Sequence, residues 1–191
     1  MRALICIAIA FLSAAPLSAQ AGASWLDRPM TSWNQPGRAV PVAQPGTESQ
    51  GTLARRCGSS SLSSSTTAGT LRKAGWVPFL HFDRAIARDG AEVIGGMTTA
   101  GPGCEPTVFN LFVFVDGRFA GTISPAVMTQ NRDGVAGAVR ITRADSLTAE
   151  FARYTTKDTE CCPSSRVRVT YRIERAGSQP ALVPMELRTL R

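Results

Sequence analysis

The sequence predicts an α+β protein, mostly β: an antiparallel sheet of about six to eight strands with one short helix, stapled by two disulfides. Three observations carry that expectation. Short apolar runs alternate with turn dipeptides such as Asp89-Gly90 and Asp116-Gly117 through the C-terminal two thirds. Residues 166–174 alternate strictly, with Val167, Val169, Tyr171 and Ile173 on one side and Arg166, Arg168, Thr170, Arg172 and Glu174 on the other. Finally, Cys57, Cys104, Cys161 and Cys162 form an even set in a chain that carries an export signal.

That signal opens the chain. Arg2 is a short positive region, Ala3 to Leu17 is apolar apart from Ser13, and Ala19-Gln20-Ala21 is a small-residue cleavage site. Residues 1–21 therefore read as a secretory signal peptide. About 15 apolar residues fall short of the roughly 20 that a spanning helix needs. Cys6 lies inside the apolar part and leaves with it. It follows bulky Ile5 and sits too early to be a lipidated cysteine. The mature chain is expected to be exported, periplasmic or secreted, with no transmembrane segment.

Residues 22–53 read as an extended segment rich in proline and glycine. Pro29, Pro36, Pro41 and Pro45 alternate with Gly37, Gly46 and Gly51, and no period of two or 3.6 survives. Trp25, Met30 and Trp33 are out of place in a linker and suggest docking, onto a partner or, as the favoured account, onto the chain's own domain. Residues 54–191 then form the disulfide-stapled α+β domain. A serine-rich loop (Ser59 to Ser65) precedes a helix over 66–75, with Thr66 or Thr67 as cap and Gly75 as terminator.

The strands follow in order. Val77 to Phe82 is the first. Ala91 to Met97 is the next, where Gly95-Gly96 signals a bulge or a close backbone approach. Thr107 to Val115 is apolar on both faces and belongs at the centre of a sheet. Asp116-Gly117 is a type I′ turn pair, and Arg118 to Ile123 returns as its partner. Pro125 to Thr129 reads as one helical turn. Ala138 to Thr142, Leu147 to Tyr154 and the alternating 166–175 stretch are further strands. Pro180 to Leu187 is an edge strand, since Pro184 cannot donate to a ladder.

Four cysteines allow three pairings. Adjacent Cys161 and Cys162 would close a strained eight-membered ring. The sequence thus favours the two pairings that tie them, one each, to Cys57 and Cys104. A metal site is not expected, because there is no C-x-x-C pair and His81 is the only histidine. No cofactor is expected either, as no nucleotide-binding glycine loop occurs.

The chemistry is sparse. His81 with Asp83 or Asp89 and a serine could be drawn as a hydrolytic triad, but no G-x-S-x-G elbow supports it. Carboxylates Glu150, Asp158 and Glu160 cluster in sequence without marking a cleft. The formal charge is +7, and of the 21 basic residues only Lys73 and Lys157 are lysine. Those arginines are spread along the chain. Arg166, Arg168 and Arg172 share one face of their strand and form a candidate anion-binding face, with a solvated face paired to Glu150 and Glu174 as the plainer account. Nucleic acid is not expected as a partner, since that face lacks an aromatic platform. An envelope component or a protein partner is.

One set of motifs resembles a known family. The stretch F-V-F-V-D-G-R-F-A-G-T at 112–122, Ser124-Pro125, Arg132-Asp133-Gly134, Ala149 to Tyr154 and Cys161-Cys162-Pro163-Ser164 resemble the LppP/LprE-type lipoproteins over about residues 101–184. The resemblance implies an exported bacterial envelope protein and carries over no catalytic residues. The chain departs from the family name in having no lipobox. The expected function is a non-enzymatic binding or structural module of the envelope; the alternative is an envelope-directed hydrolase using His81.

Overall fold

The computed structural model describes residues 24–83, 86–175, 177 and 179–190. The expected signal peptide, 1–21, and Cys6 lie outside them. Two antiparallel sheets, rather than one, face each other across a shared core. The first contains β1 (Val77–Phe79), β2 (Ile86–Arg88), β3 (Ala91–Ala100), β4 (Pro106–Val115), β5 (Arg118–Thr122) and β6 (Met128–Thr129). Its order is β1-β3-β4-β5, with β2 also pairing β3 and β6 pairing β4. The second runs β10-β9-β8-β7 and is built from β7 (Ala136–Arg143), β8 (Ser146–Arg153), β9 (Ser165–Glu174) and β10 (Ala181–Leu190).

Strand β4 is the central element. Phe109, Leu111, Val113 and Val115 point into the core shared with the second sheet. Phe112 and Phe114 point the other way, onto Trp76, Ile94, Ala68 and Leu71. A strand buried on both faces needs apolar residues at every position, which is what 108–115 supplies apart from Asn110. Asn110 satisfies itself by donating to the carbonyls of Ser124 and Ala126. The turn into β5 has φ 49° at Asp116 and 75° at Gly117, as a type I′ turn requires.

Strand β9 alternates as its sequence dictates. Val167, Val169, Tyr171 and Ile173 are buried, whereas Arg166, Arg168 and Arg172 are exposed. The Tyr171 hydroxyl donates to the Ile123 carbonyl at 2.6 Å, and burial pushes that phenol well above its ordinary pKa.

Two helices are present where one is expected. Helix α2 (Thr66–Lys73) covers the outer face of the first sheet with Ala68 and Leu71. Its cap is Ser65, whose Oγ accepts from Ala68 N, rather than Thr66 or Thr67. Gly75, at φ 89°, ends it. The additional helix is α1 (Gln50–Cys57), capped by Ser49. It buries only Leu53, so it lacks the apolar stripe by which helices are read from sequence.

Two local expectations are corrected, and at Gly95-Gly96 one of the two alternatives holds. The Val77–Phe82 strand stops at Phe79, and His81–Asp83 forms a 3₁₀ turn with Phe82 in the left-handed region. The helical turn at 125–129 is absent; Met128 and Thr129 pair with Phe109 and Val108 instead. Gly95 and Gly96 sit in regular register opposite Leu111 and Asn110, and the register shift falls after Met97. The glycines are there for close approach: the Phe79 ring lies directly on Gly95 and the Trp76 side chain on Gly96.

The disulfide pairing also differs from expectation. Cys57 bonds to Cys104, and Cys161 bonds to Cys162. Cys57 ends α1 beside the turn joining β3 to β4, which brings its Cα within 5.2 Å of that of Cys104. The 155–164 loop, by contrast, closes on itself. Asp158 accepts from the Thr155 and Ser164 amides and from the Ser164 hydroxyl, while Tyr154 Oη donates to the Glu160 carbonyl. The Ser164 hydroxyl and the two amides hold the Asp158 carboxyl down to about 2. Cys161 and Cys162 both lie in this exposed loop.

Candidate functional site

The first sheet and β7 of the second enclose a cleft of about 760 Å³ at one end of the sandwich. Its floor is apolar: Phe79 at the end of β1, Phe109 on β4, and Val135 and Ala136 entering β7. The two phenylalanine rings meet edge to face with centroids 5.8 Å apart. One wall is the Cys57–Cys104 disulfide, which joins α1 to the β3–β4 turn. The opposite rim is Gln130-Asn131 and the His81-Phe82 turn.

The backbone around this cleft is unusual. Five described non-glycine residues have positive φ. Asp89 and Asp116 belong to Asp-Gly hairpin turns, where that conformation is ordinary. The other three are Phe82 (φ 52°), Cys104 (φ 66°) and Asn131 (φ 58°), and all three line the cleft. For a bulky residue such as Phe the left-handed region costs on the order of 1–3 kcal/mol and persists only where its surroundings impose it. The imposed conformation lays the Phe82 ring on His81, centroids 4.3 Å apart, and leaves Phe82 61 % exposed at the mouth.

His81 is 5 % exposed, and its Nε2 bonds the Gly137 carbonyl at 2.6 Å. Gly137 falls within the register shift of the β7–β8 ladder. The imidazole thus ties the rim turn to the second sheet. The serine lining the cleft, Ser59, has its Oγ 2.7 Å from Ser61 Oγ. Asp89 lies in the β2–β3 turn, ion-paired with Arg88. The Asp83 side chain lies outside the described part of the structure.

The other sequence-predicted residues fall elsewhere. Arg166, Arg168 and Arg172 lie on the exposed face of β9. Arg168 is paired with Glu150 on β8 at 2.6 Å, and Arg172 with Glu174 at 2.6 Å. Cys57 and Cys104 belong to the cleft; Cys161 and Cys162 belong to the exposed 155–164 loop. Among the described residues no group of His, Cys, Asp or Glu has the makings of a metal site, and no helix is long and apolar enough to cross a membrane. Sequence reading missed Phe82, Glu105 and Asn131. Phe82 and Asn131 become conspicuous only through their backbone angles, and nothing in the composition says that they share one pocket.

Comparison with known proteins is informative over part of the chain. No curated protein and no solved structure matches it. The 112–122 motif and the start of β9 fall inside a matching region, and the cleft draws Cys104, Glu105, Phe109, Asn131 and Ala136, among others, from it. That region, residues 91–176, a little under half of the chain, matches the LppP/LprE lipoprotein family.

Proposed function

We propose that this chain is an exported, non-enzymatic binding module of the bacterial cell envelope that takes its ligand in the cleft beneath Phe82. The observation that carries the reading is the gathering of Phe82, Cys104 and Asn131, the three described non-glycine residues with positive φ outside the two Asp-Gly hairpin turns, around one apolar pocket. Backbone strain held in place by a disulfide and a buried histidine is characteristic of preorganised sites. The envelope setting rests on the family match over 91–176 and on the signal-like segment at 1–21. Binding is favoured over hydrolysis because His81 Nε2 is committed to a main-chain carbonyl and the Ser59 hydroxyl to a second serine.

The test is a fragment screen read by ¹H–¹⁵N NMR on the oxidised mature protein. Hits are expected to move the amides of Phe79, Phe82, Glu105 and Asn131 together. Hits that map only outside the cleft, or turnover of an envelope polymer lost in His81→Ala, would reject the reading.

A further inference from the structure

The cleft also carries information about the charge of its ligand. Among the described residues, its only charged lining side chain is a carboxylate, Glu105, just before β4. No described lysine or arginine lines it, in a chain whose formal charge is +7. Glu105 takes part in no ion pair among the described residues. Arg56, which packs on the same turn, gives its guanidinium to Glu48 and to the Gly101 carbonyl instead. The carboxylate lies over Gly101 and Gly103. A Cβ at Gly101 would collide with Glu105 Oε1, and one at Gly103 would sit 3.0 Å from Oε2. Two residues without side chains therefore leave that carboxylate its place beside the cleft.

The rest of the lining is rich in π-faces. Phe79, Phe82 and Phe109 all contribute, and the Phe82 ring at the mouth is held there by its left-handed backbone and by His81. Aromatic faces attract cations through the ring quadrupole, most strongly where water is excluded, and a nearby carboxylate adds to the attraction. An anionic ligand would meet Glu105 with no compensating cation among the described lining residues, which costs binding.

We infer that the cleft binds an organic cation: an ammonium or quaternary ammonium group set against Phe82 and Glu105, with its apolar part on Phe79 and Phe109. This rests on the reading of the cleft as a binding site and specifies its ligand class. Phe82 and Glu105 are the specificity determinants.

The experiment compares choline with its uncharged isostere 3,3-dimethyl-1-butanol, each titrated into the oxidised protein and followed at the cleft amides. Choline is expected to bind about tenfold more tightly than the alcohol, within the range of a partly desolvated cation–π contact supported by a carboxylate. Glu105→Gln and Phe82→Leu, both at exposed side chains, should each weaken choline several-fold and leave the alcohol unchanged. Equal binding of the two probes, or loss of both in Phe82→Leu alone, would overturn the cation assignment while keeping the cleft as a binding site. If neither probe moves the cleft amides but the anionic apolar dye 1-anilinonaphthalene-8-sulfonate does, the cation assignment falls and the binding reading stands. If none of the three does, both fall.

Discussion

Asn34 and Thr122 exchange two hydrogen bonds as if they were paired strand residues. Asn34 Nδ2 donates to the Thr122 carbonyl at 3.0 Å, and the Thr122 amide donates to Asn34 Oδ1 at 2.9 Å. The same Nδ2 donates to the Leu182 carbonyl at 2.9 Å. One side-chain amide therefore bridges the end of β5 in one sheet to β10 in the other. Gly121, at φ 150°, has no Cβ to collide with it. Asn34→Ala would leave the Thr122 amide and the Leu182 carbonyl buried without partners, although Trp33 Nε1 still serves the Thr122 carbonyl. At roughly 1–3 kcal/mol for each orphaned group, the loss should be about 2–6 kcal/mol. A lower urea midpoint at unchanged slope is the expected result.

The two disulfides should contribute very differently. Cys57 and Cys104 are 47 residues apart, and closing a loop of that length stabilises by about 4 kcal/mol in the chain-entropy account. Cys161–Cys162 closes no loop of consequence. Cys57→Ser with Cys104→Ser should therefore lower stability by about that amount, and Cys161→Ser with Cys162→Ser should change it little. Tryptic mapping without reduction gives an independent check. Peptide 57–72 should be linked to 89–118, and 158–166 should be unlinked and lighter by two hydrogens. A link from 158–166 to either of the others would contradict the connectivity.

Tyr171 predicts an alkaline transition. Its phenol is raised by burial, so the folded state keeps the proton at a pH where the unfolded chain, near 10, has lost it. The stabilisation is complete below about pH 10 and is lost as pH rises toward the folded-state value. The slope for one proton is about 1.4 kcal/mol per pH unit. Tyr171→Phe should remove this component of the slope above pH 10. At neutral pH it should cost about 1–3 kcal/mol, because the Ile123 carbonyl loses its 2.6 Å donor. Denaturant curves from pH 7 to 11 on both proteins measure the two effects.

Much of the sandwich can be read from the sequence because half-buried and fully buried strands leave period-two or continuous apolar patterns, as in β9 and β4. The division into two sheets cannot be read in this way. Alternation at Val167, Val169 and Tyr171 says that one face is covered, not that the cover is a second sheet. Helix α1 escapes because a single buried residue, Leu53, makes no stripe. The cleft escapes for another reason: Gly101 to Cys104 and Asn131 to Gly134 have turn composition, but nothing in it says that the fold brings them together with Phe82 around one pocket. The cysteines are legible as disulfide-bonded but not in their pairing, since which of them meet depends on where the fold places the 155–164 loop relative to Cys57 and Cys104.

The contact between Gly95 and the Phe79 ring connects the core to the cleft. Gly95 faces Leu111 across the β3–β4 ladder, and any Cβ there would overlap Phe79 Cζ and Cε1. The Phe109 ring, its centroid 5.8 Å away, blocks one retreat, so Phe79 can give way only into the cleft. Gly95→Ala should therefore destabilise by about 1–3 kcal/mol through overpacking. It should also displace the cleft floor. Phe79→Ala alone removes a buried ring, at a cost of about 3–5 kcal/mol. In the double variant the new methyl group occupies part of the space the ring leaves, so the two losses should fall short of additive by 0.5 kcal/mol or more. Strict additivity in a double-mutant cycle would show that the strand relaxes away from the ring. The cleft amides of the Gly95→Ala protein would then be unshifted.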